Sequence, residues 1–436
     1  MQTVFRAPRG LGGALTPPSD KSLTHRALML AAVATGRSEI DRPLETGDCI
    51  STARCLQALG VKMDRLPGDG VARLAVDGVG LQGFREPAAV LDAENSGTTL
   101  RLLSGLLAGQ RLFAVLSGDG SLLRRPMGRV VKPLAALGAD IRGREGGGYA
   151  PLCFLPGSGT LRGAALDLAV ASAQVKSCLL LAGLRAEGPL CLSGRTDSRD
   201  HTERMFTALG LPLRAEAGTL RLEPARSVPS FSMRVPGDVS SAAFFVTAAL
   251  VSGRGLEVRG CGINPTRMGF LEVARRMGAD VQVAEEGLSL GEPFGTIRLT
   301  PGSGLRGCVV EEGEVPELID EAPLLAVLGL FAQGRTEVRG AGELRHKESD
   351  RIDMVVSMAR ALGGVVEASG DGFSVEGPQK LHGGTVDPAG DHRIAMAAAV
   401  ASAGIEGEVR VTGFEAARVS YPDFTTDFRA LGGEAE

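Results

Sequence analysis

A nine-residue phrase recurs six times along this chain, and it constrains the fold more than anything else in the sequence. The copies are LQALGVKMD (56–64), LAALGADIR (134–142), FTALGLPLR (206–214), ARRMGADVQ (274–282), ARALGGVVE (359–367) and FRALGGEAE (428–436). Each reads as a helix end, a Leu-Gly or Met-Gly break, and the start of a strand. The glycines (Gly60, Gly138, Gly210, Gly278, Gly363, Gly432) stand where a helix C-cap needs left-handed backbone, which a β-carbon disfavours. They fall roughly 70 to 85 residues apart. That period is too long for a solenoid and suits a compact βαβαββ unit.

A second helical segment precedes the phrase in every unit. These segments cover 20–36, 94–109, 172–184, 237–253, 320–334 and 390–404. Each opens on a polar or glycine-containing stretch and then turns Ala- and Leu-rich on nearly every side, which predicts burial. Ser22, Asn95, Ser172, Ser240 and Asp391 are the expected caps. Short β-rich pieces such as LRLEP lie between the two helices of a unit. The chain therefore reads as α/β, with six similar units, three in each of two domains. Its 436 residues fit two cores of about 200 residues each. Pro and Gly near Thr16–Asp20 and Phe231–Asp238 mark the expected crossovers. One domain is then 1–19 plus 237–436, and the other is 20–236.

Composition excludes several classes. A net charge of −4 and few aromatics (no Trp, two Tyr, fifteen Phe) offer no basic, stacking face for nucleic acid. The same scarcity predicts a core of Ala, Val and Leu. The seven Cys form no CxxC pair, which reads as free thiols in a reducing compartment, so a cytoplasmic location is expected. The five His show no zinc spacing, so no metal is expected. No apolar run reaches the ~18 residues a membrane span needs. A monomer is expected.

Unusual polar residues gather at the starts of the apolar helices. A helix N-terminus carries free N–H donors and about half a positive charge, which suits anions. SDKSLTHR brings Lys21, Ser22 and Arg26 within two turns. ENSGTTLR has Gly97 at the helix entry, where a ligand can approach the backbone. RRPMGR holds Arg124, Arg125 and Arg129. ELRHKESDR holds Lys347, Glu348 and Arg351. Asp320 and Glu321 open an otherwise apolar helix, and Asp391 and Arg393 open another. Singly, each motif is equally a capped helix or a surface ion-pair ladder. Their recurrence at matching places in the repeat points to a site for substrates bearing phosphate and carboxylate. GVGLQG (78–83) matches a dinucleotide fingerprint but runs into Phe-Arg-Glu-Pro rather than a helix, so it fails its context. DKS lacks the glycine that a P-loop needs before its lysine.

At these residues the chain resembles the EPSP synthase family along essentially its whole length. The matching segments are SDKSLTHRALMLAA, ENSGTTLRLL, RRPMGRV, SAQVKSCLLLAGL, SRDHTERM, PGDVSSAAFF, NPTRMGFLEV, PELIDEAPLLAV, ELRHKESDRI and DHRIAMA. The resemblance implies the two-domain enolpyruvyl transferase fold, with six βαβαββ subdomains, buried helices and an active site in the interdomain cleft. It implies transfer of the enolpyruvyl group of phosphoenolpyruvate to the 5-hydroxyl of shikimate 3-phosphate, in chorismate and aromatic amino-acid biosynthesis, without metal or organic cofactor. Its implied shikimate 3-phosphate ligands are Lys21, Ser22, Arg26, Ser172, Ala173, Gln174, Arg199, Asp320 and Lys347. Its implied phosphoenolpyruvate ligands are Lys21, Gly97, Arg125, Gln174, Arg351 and Arg393. Asp320, Glu348 and Lys21 are the implied proton carriers.

The sequence departs from one branch of the family. Val419 stands where that branch has lysine, and SRDHTERM replaces a tyrosine-containing version. The contacts of that lysine are therefore dropped. The UDP-N-acetylglucosamine enolpyruvyltransferases share the architecture but carry a reactive Cys in the loop written here SGDGSLLRRPMGR, which has none. A non-catalytic anion-binding protein on the same fold is the other alternative. Gly97 leaves room beside the phosphoenolpyruvate position, so competition by glyphosate is expected.

Overall fold

The computed structural model describes residues 2–67, 72–156, 160–300, 302 and 304–436. Six buried helices organise it: α1 (Lys21–Ala32), α2 (Gly97–Leu107), α3 (Ala173–Gly183), α4 (Val239–Ser252), α5 (Ala322–Phe331) and α6 (His392–Ala401). Their all-round apolar sequences explain their place. In α4 every residue from Val239 to Leu250 is buried. A helix with no polar face gains most when it is covered on all sides, at about 1.5–3 kcal/mol for each large apolar side chain.

Six sheets surround these helices, one for each unit of the sequence repeat. One unit shows the pattern. Strand Leu91–Asp92 leads into α2, and Ala114–Ser117 leaves it and pairs parallel with the first. Helix Gly128–Ala136 follows, and then strands Ile141–Gly143 and Tyr149–Phe154 add antiparallel. The order is βαβαββ. All six phrase glycines adopt positive φ, from 67° to 107°, just after their helices.

The chain divides into two compact units. Unit 1 is Met1–Pro18, Pro236–Gly287 and Pro293–Glu436; unit 2 is Ser19–Val235 and Leu288–Glu292. The excursion at Leu288–Glu292, the turn between strands Asp280–Ser289 and Glu292–Thr300, has no counterpart in the sequence reading. The crossovers have a structural logic. In four units the strand entering a buried helix pairs parallel with the strand leaving it. At α1 and α4 those partners are exchanged. Gly13–Leu15 leads toward α1 but pairs with Leu256–Gly262, the strand after α4. Val228–Pro229 and Ser232–Arg234 lead toward α4 but pair with Ala34–Asp41, the strand after α1.

Each unit has its own apolar core. The expectation of an Ala, Val and Leu core holds in both units, with one local exception in unit 1. There Phe5, Phe244, Phe245, Phe414, Tyr421, Phe424 and Phe428 form one cluster with ring centroids 4.6–6.4 Å apart. Scarce rings were concentrated rather than spread, because edge-to-face pairs add about 0.5–1.5 kcal/mol beyond their burial. Three expected caps are also corrected. Asp20, Ser96 and Asp238 cap α1, α2 and α4, in place of Ser22, Asn95 and Ser240. The displaced groups are engaged elsewhere: Asn95 with Arg125 and Asp119, Ser240 with Glu321 and Arg267, and the Ser22 carbonyl with Arg26. Ser172 and Asp391 cap α3 and α6 as expected.

Candidate active site

Unit 2 gathers its candidate residues at the N-terminal ends of α1, α2 and α3. Lys21 opens α1, and its ammonium lies 3.1 Å from Asp48 Oδ2. Arg26, one turn on, is buried. Its Nε donates to Thr202 Oγ1 (2.9 Å), its Nη2 to Ser177 Oγ (2.8 Å) and its Nη1 to the Ser22 carbonyl (3.0 Å). A guanidinium has five N–H groups, so these contacts aim Arg26 and leave two donors for a ligand. Burial pulls its pKa down to about 10, opposed mainly by the charge of Glu203, so it stays cationic near neutrality. Arg199 is close enough that its charge lowers Arg26 further.

Helices α2 and α3 cross closely because Gly105 faces the backbone of Cys178. A β-carbon there would stand 2.1 Å from the Cys178 carbonyl oxygen. The close crossing brings Gln174, in the first turn of α3, against α2. Its Oε1 accepts from Arg101 Nη1 (2.5 Å) and its Nε2 donates to Thr98 Oγ1 (3.0 Å). Gly97 is the first residue of α2, and a β-carbon on it would lie 3.3 Å from Nη1 of both Arg101 and Arg125. Arg125 is buried, and its Nη2 donates to Asn95 Oδ1 (2.7 Å), whereas its neighbour Arg124 is exposed. Ser172 and Ala173 sit at the entry of α3, partly open.

Beneath these ends lies a chain of hydroxyls. His25 Nδ1 meets Thr52 Oγ1 (2.7 Å), Thr52 meets Thr99 Oγ1 (2.6 Å), and Thr99 reaches the cap Ser96 (2.7 Å). Full burial drives the His25 pKa down to about 3, so the ring is neutral. The chain pins α1 to α2 without adding charge.

Unit 1 is built from opposed charges. Arg351 is 1% exposed. Its Nε donates to Asp391 Oδ2 (2.8 Å), its Nη2 to Glu348 Oε2 (2.6 Å) and its Nη1 to Asp320 Oδ1 (3.4 Å). Burial works against its charge, but these three carboxylates outweigh burial and raise its pKa. Asp391 also caps α6 and accepts from Ser349, and Arg351 holds its carboxyl below the usual range despite burial. Asp320 is the meeting point. Lys347 Nζ lies 3.5 Å from Oδ1, Arg393 Nη2 3.8 Å from Oδ2, and Arg393 Nη1 donates to the Asp320 carbonyl (3.1 Å). Thus Asp320, Lys347, Glu348, Arg351 and Arg393 form one cluster.

The sequence reading missed the groups that hold these residues. Asp48, Arg101, Thr98, Asn95, Ser177, Thr202 and Asp391 each contact a candidate ligand. Asn95 and Asp391 stand at helix entries, where the sequence marks them as caps and, for Asp391, as the neighbour of Arg393. The others lie inside helices with no local signal, and their roles follow from contacts 27 to 176 residues away in sequence. Among the described residues no group of three or more His, Cys, Asp or Glu is placed to hold a metal. No described helix is long and apolar enough to cross a membrane.

Comparison with known proteins bears on the same residues. A family model described as EPSP synthase (3-phosphoshikimate 1-carboxyvinyltransferase) matches residues 5–428. A 3-phosphoshikimate 1-carboxyvinyltransferase of Roseiflexus castenholzii is 48% identical over 430 residues, 98% of each chain. One from Chloroflexus aurantiacus is 48% identical over 426 residues, 97% of each. Among solved structures, an EPSP synthase from Acinetobacter baumannii superposes with a TM-score of 0.87 at 37% identity, covering 100% of both chains. By its match along nearly its whole length in sequence and in fold, the chain belongs to the EPSP synthase family.

Proposed function

We propose that the chain transfers the carboxyvinyl group of phosphoenolpyruvate to the 5-hydroxyl of shikimate 3-phosphate, releasing inorganic phosphate. The observation that carries this reading is Asp320, a carboxylate within 4 Å of three cations, Lys347, Arg351 and Arg393, with Glu348 on the same arginine. That geometry fixes the carboxylate in one orientation, and in this reading the 5-hydroxyl lies against it and passes it a proton.

Addition and elimination then proceed as follows. The 5-oxygen bonds to C2 of phosphoenolpyruvate and its proton passes to Asp320. The methylene carbon takes a proton from Glu348 or Lys21, giving a tetrahedral intermediate. Its C–O bond to phosphate breaks as the proton held by Asp320 passes to the departing phosphate, the methyl carbon returns a proton to Glu348 or Lys21, and the vinyl ether remains. In the same proposal Lys21, Ser22, Arg26, Ser172, Ala173, Gln174, Arg199, Asp320 and Lys347 bind shikimate 3-phosphate. Lys21, Gly97, Arg125, Gln174, Arg351 and Arg393 bind phosphoenolpyruvate. The arginines neutralise and align the two acids, an orientation effect of several kcal/mol. Domain organisation, cytoplasmic location and a monomeric state belong to the same proposal.

The test is phosphate release from phosphoenolpyruvate, with shikimate 3-phosphate and UDP-N-acetylglucosamine as alternative acceptors. Release with the shikimate ester alone is expected. Release only with the UDP-sugar, or with neither, overturns the reading.

A further inference from the structure

Residues 195–200 form an irregular loop between strand Leu190–Gly194 and helix His201–Ala208, and they carry Arg199. Something must hold that loop in place, because a strand end and a helix start fix only its ends. Thr196 Oγ1 donates to the Gly218 carbonyl (2.8 Å) and the Arg195 N–H to the Leu168 carbonyl (2.8 Å), and the tie to α3 is Lys176, on its second turn. It is 1% exposed, which is rare for a lysine. Its ammonium donates to the carbonyls of Thr196 (2.9 Å) and Ser198 (2.8 Å) and pairs with Glu203 Oε1 (2.6 Å).

An ammonium has three N–H donors. The two carbonyls accept from two of them and the Glu203 carboxylate lies against the ammonium as its ion-pair partner, so Lys176 is committed to protein groups. Two partners lie in the loop just before Arg199. The third, Glu203, lies in the helix just after it. The opposite end of the tether is α3, whose first turn presents Ser172, Ala173 and Gln174. One buried cation therefore ties the segment that carries Arg199 directly to α3. Burying an ammonium is tolerable only with such full compensation. The reverse also holds: a side chain without donors strands two carbonyls and a carboxylate. Glu203 is shared, since its charge is the main one opposing the effect of burial on Arg26.

We propose that Lys176 is a positioning residue for shikimate 3-phosphate, setting Arg199 against the α3 N-terminus as two sides of one phosphate pocket. The assignment rests on the functional reading above. Lys176→Met keeps the reach and removes the donors; Lys176→Arg restores the charge. In Lys176→Met, KM for shikimate 3-phosphate should rise about tenfold. KM for phosphoenolpyruvate and kcat should stay within about threefold. Lys176→Arg should recover part of the loss, and amide exchange at 195–200 should quicken in the Met variant. If Lys176→Met fails to fold, Glu203→Gln serves instead, with the same direction and about a threefold rise. An unchanged KM for shikimate 3-phosphate, or equal loss across both substrates and kcat, overturns the proposal. An unsubstituted chain that releases no phosphate overturns the functional reading and, with it, this role for Lys176. Exchange at 195–200 would then still report whether the tether exists, which separates the two failures.

Discussion

The two units hold their arginines by opposite means. In unit 2, Arg26 is locked by two hydroxyls and a carbonyl, and Arg125 by a side-chain amide. In unit 1, Arg351 is locked by three carboxylates and Arg393 lies beside Asp320 and Glu321. Neutral hydrogen-bond partners orient a cation without cancelling its field, which suits Arg26 to an anionic ligand even though Lys21 in the same unit is paired with Asp48. Carboxylate partners cancel the field but place bases beside the cations, which is what the proposed proton transfer in unit 1 needs. The difference teaches that burial of an arginine says little about its task until its partners are known.

The sharpest way to break this contrast is Asp320→Asn. It keeps the shape and removes the proposed base, and kcat should fall about 10²- to 10⁴-fold, with a smaller rise in KM for shikimate 3-phosphate. Steady-state phosphate release measures it, and an unaltered kcat would move the base elsewhere. Next in size is stability. Asp391→Ala leaves the Arg351 guanidinium without its principal partner and should cost about 3–5 kcal/mol in urea unfolding. Thr99→Val, the matched cut in the unit 2 network, should cost about 1–2 kcal/mol. Equal losses would erase the distinction.

The units should also differ in their response to acid. His25 has a folded pKa of about 3 against an ordinary 6.5. Its folded value is depressed, so the stability it permits is present above pH 6.5 and is lost as pH falls toward 3. Between pH 7 and pH 5 unit 2 should lose about 2 kcal/mol from this group. Asp391 is also depressed, below its ordinary 3.8, so its contribution goes only in stronger acid. Hydrogen exchange should therefore quicken in α1 before α6 as pH drops to 5, and His25→Gln should remove the gap. The smallest effect concerns Gly97→Ala. The new methyl would press on Arg101 and Arg125, each 3.3 Å from it. Glyphosate inhibition should weaken about tenfold, with a smaller rise in KM for phosphoenolpyruvate. Unchanged inhibition would mean that Gly97 does not border the inhibitor.

Particular residues show how far the sequence could be read. Arg124 and Arg125 are adjacent and chemically identical, yet one is exposed and the other buried against Asn95. No local pattern separates them. Lys176 sits in SAQVKSCLLLAGL as an apparent blemish in an apolar helix, and only the loop and helix start 20 to 27 residues further on explain it.

By itself the sequence determined what depends on neighbours within a few turns: six repeats, six all-apolar helices, their glycine stops, and the polar helix entries. These follow from backbone sterics and from the 3.6-residue period, which act over short separations. Only the tertiary structure decided which strands exchange at α1 and α4, which side chains cap, and which acid meets each arginine. Those choices join residues up to hundreds of positions apart. They turn on distance and desolvation in the packed state, which have no representation along the chain.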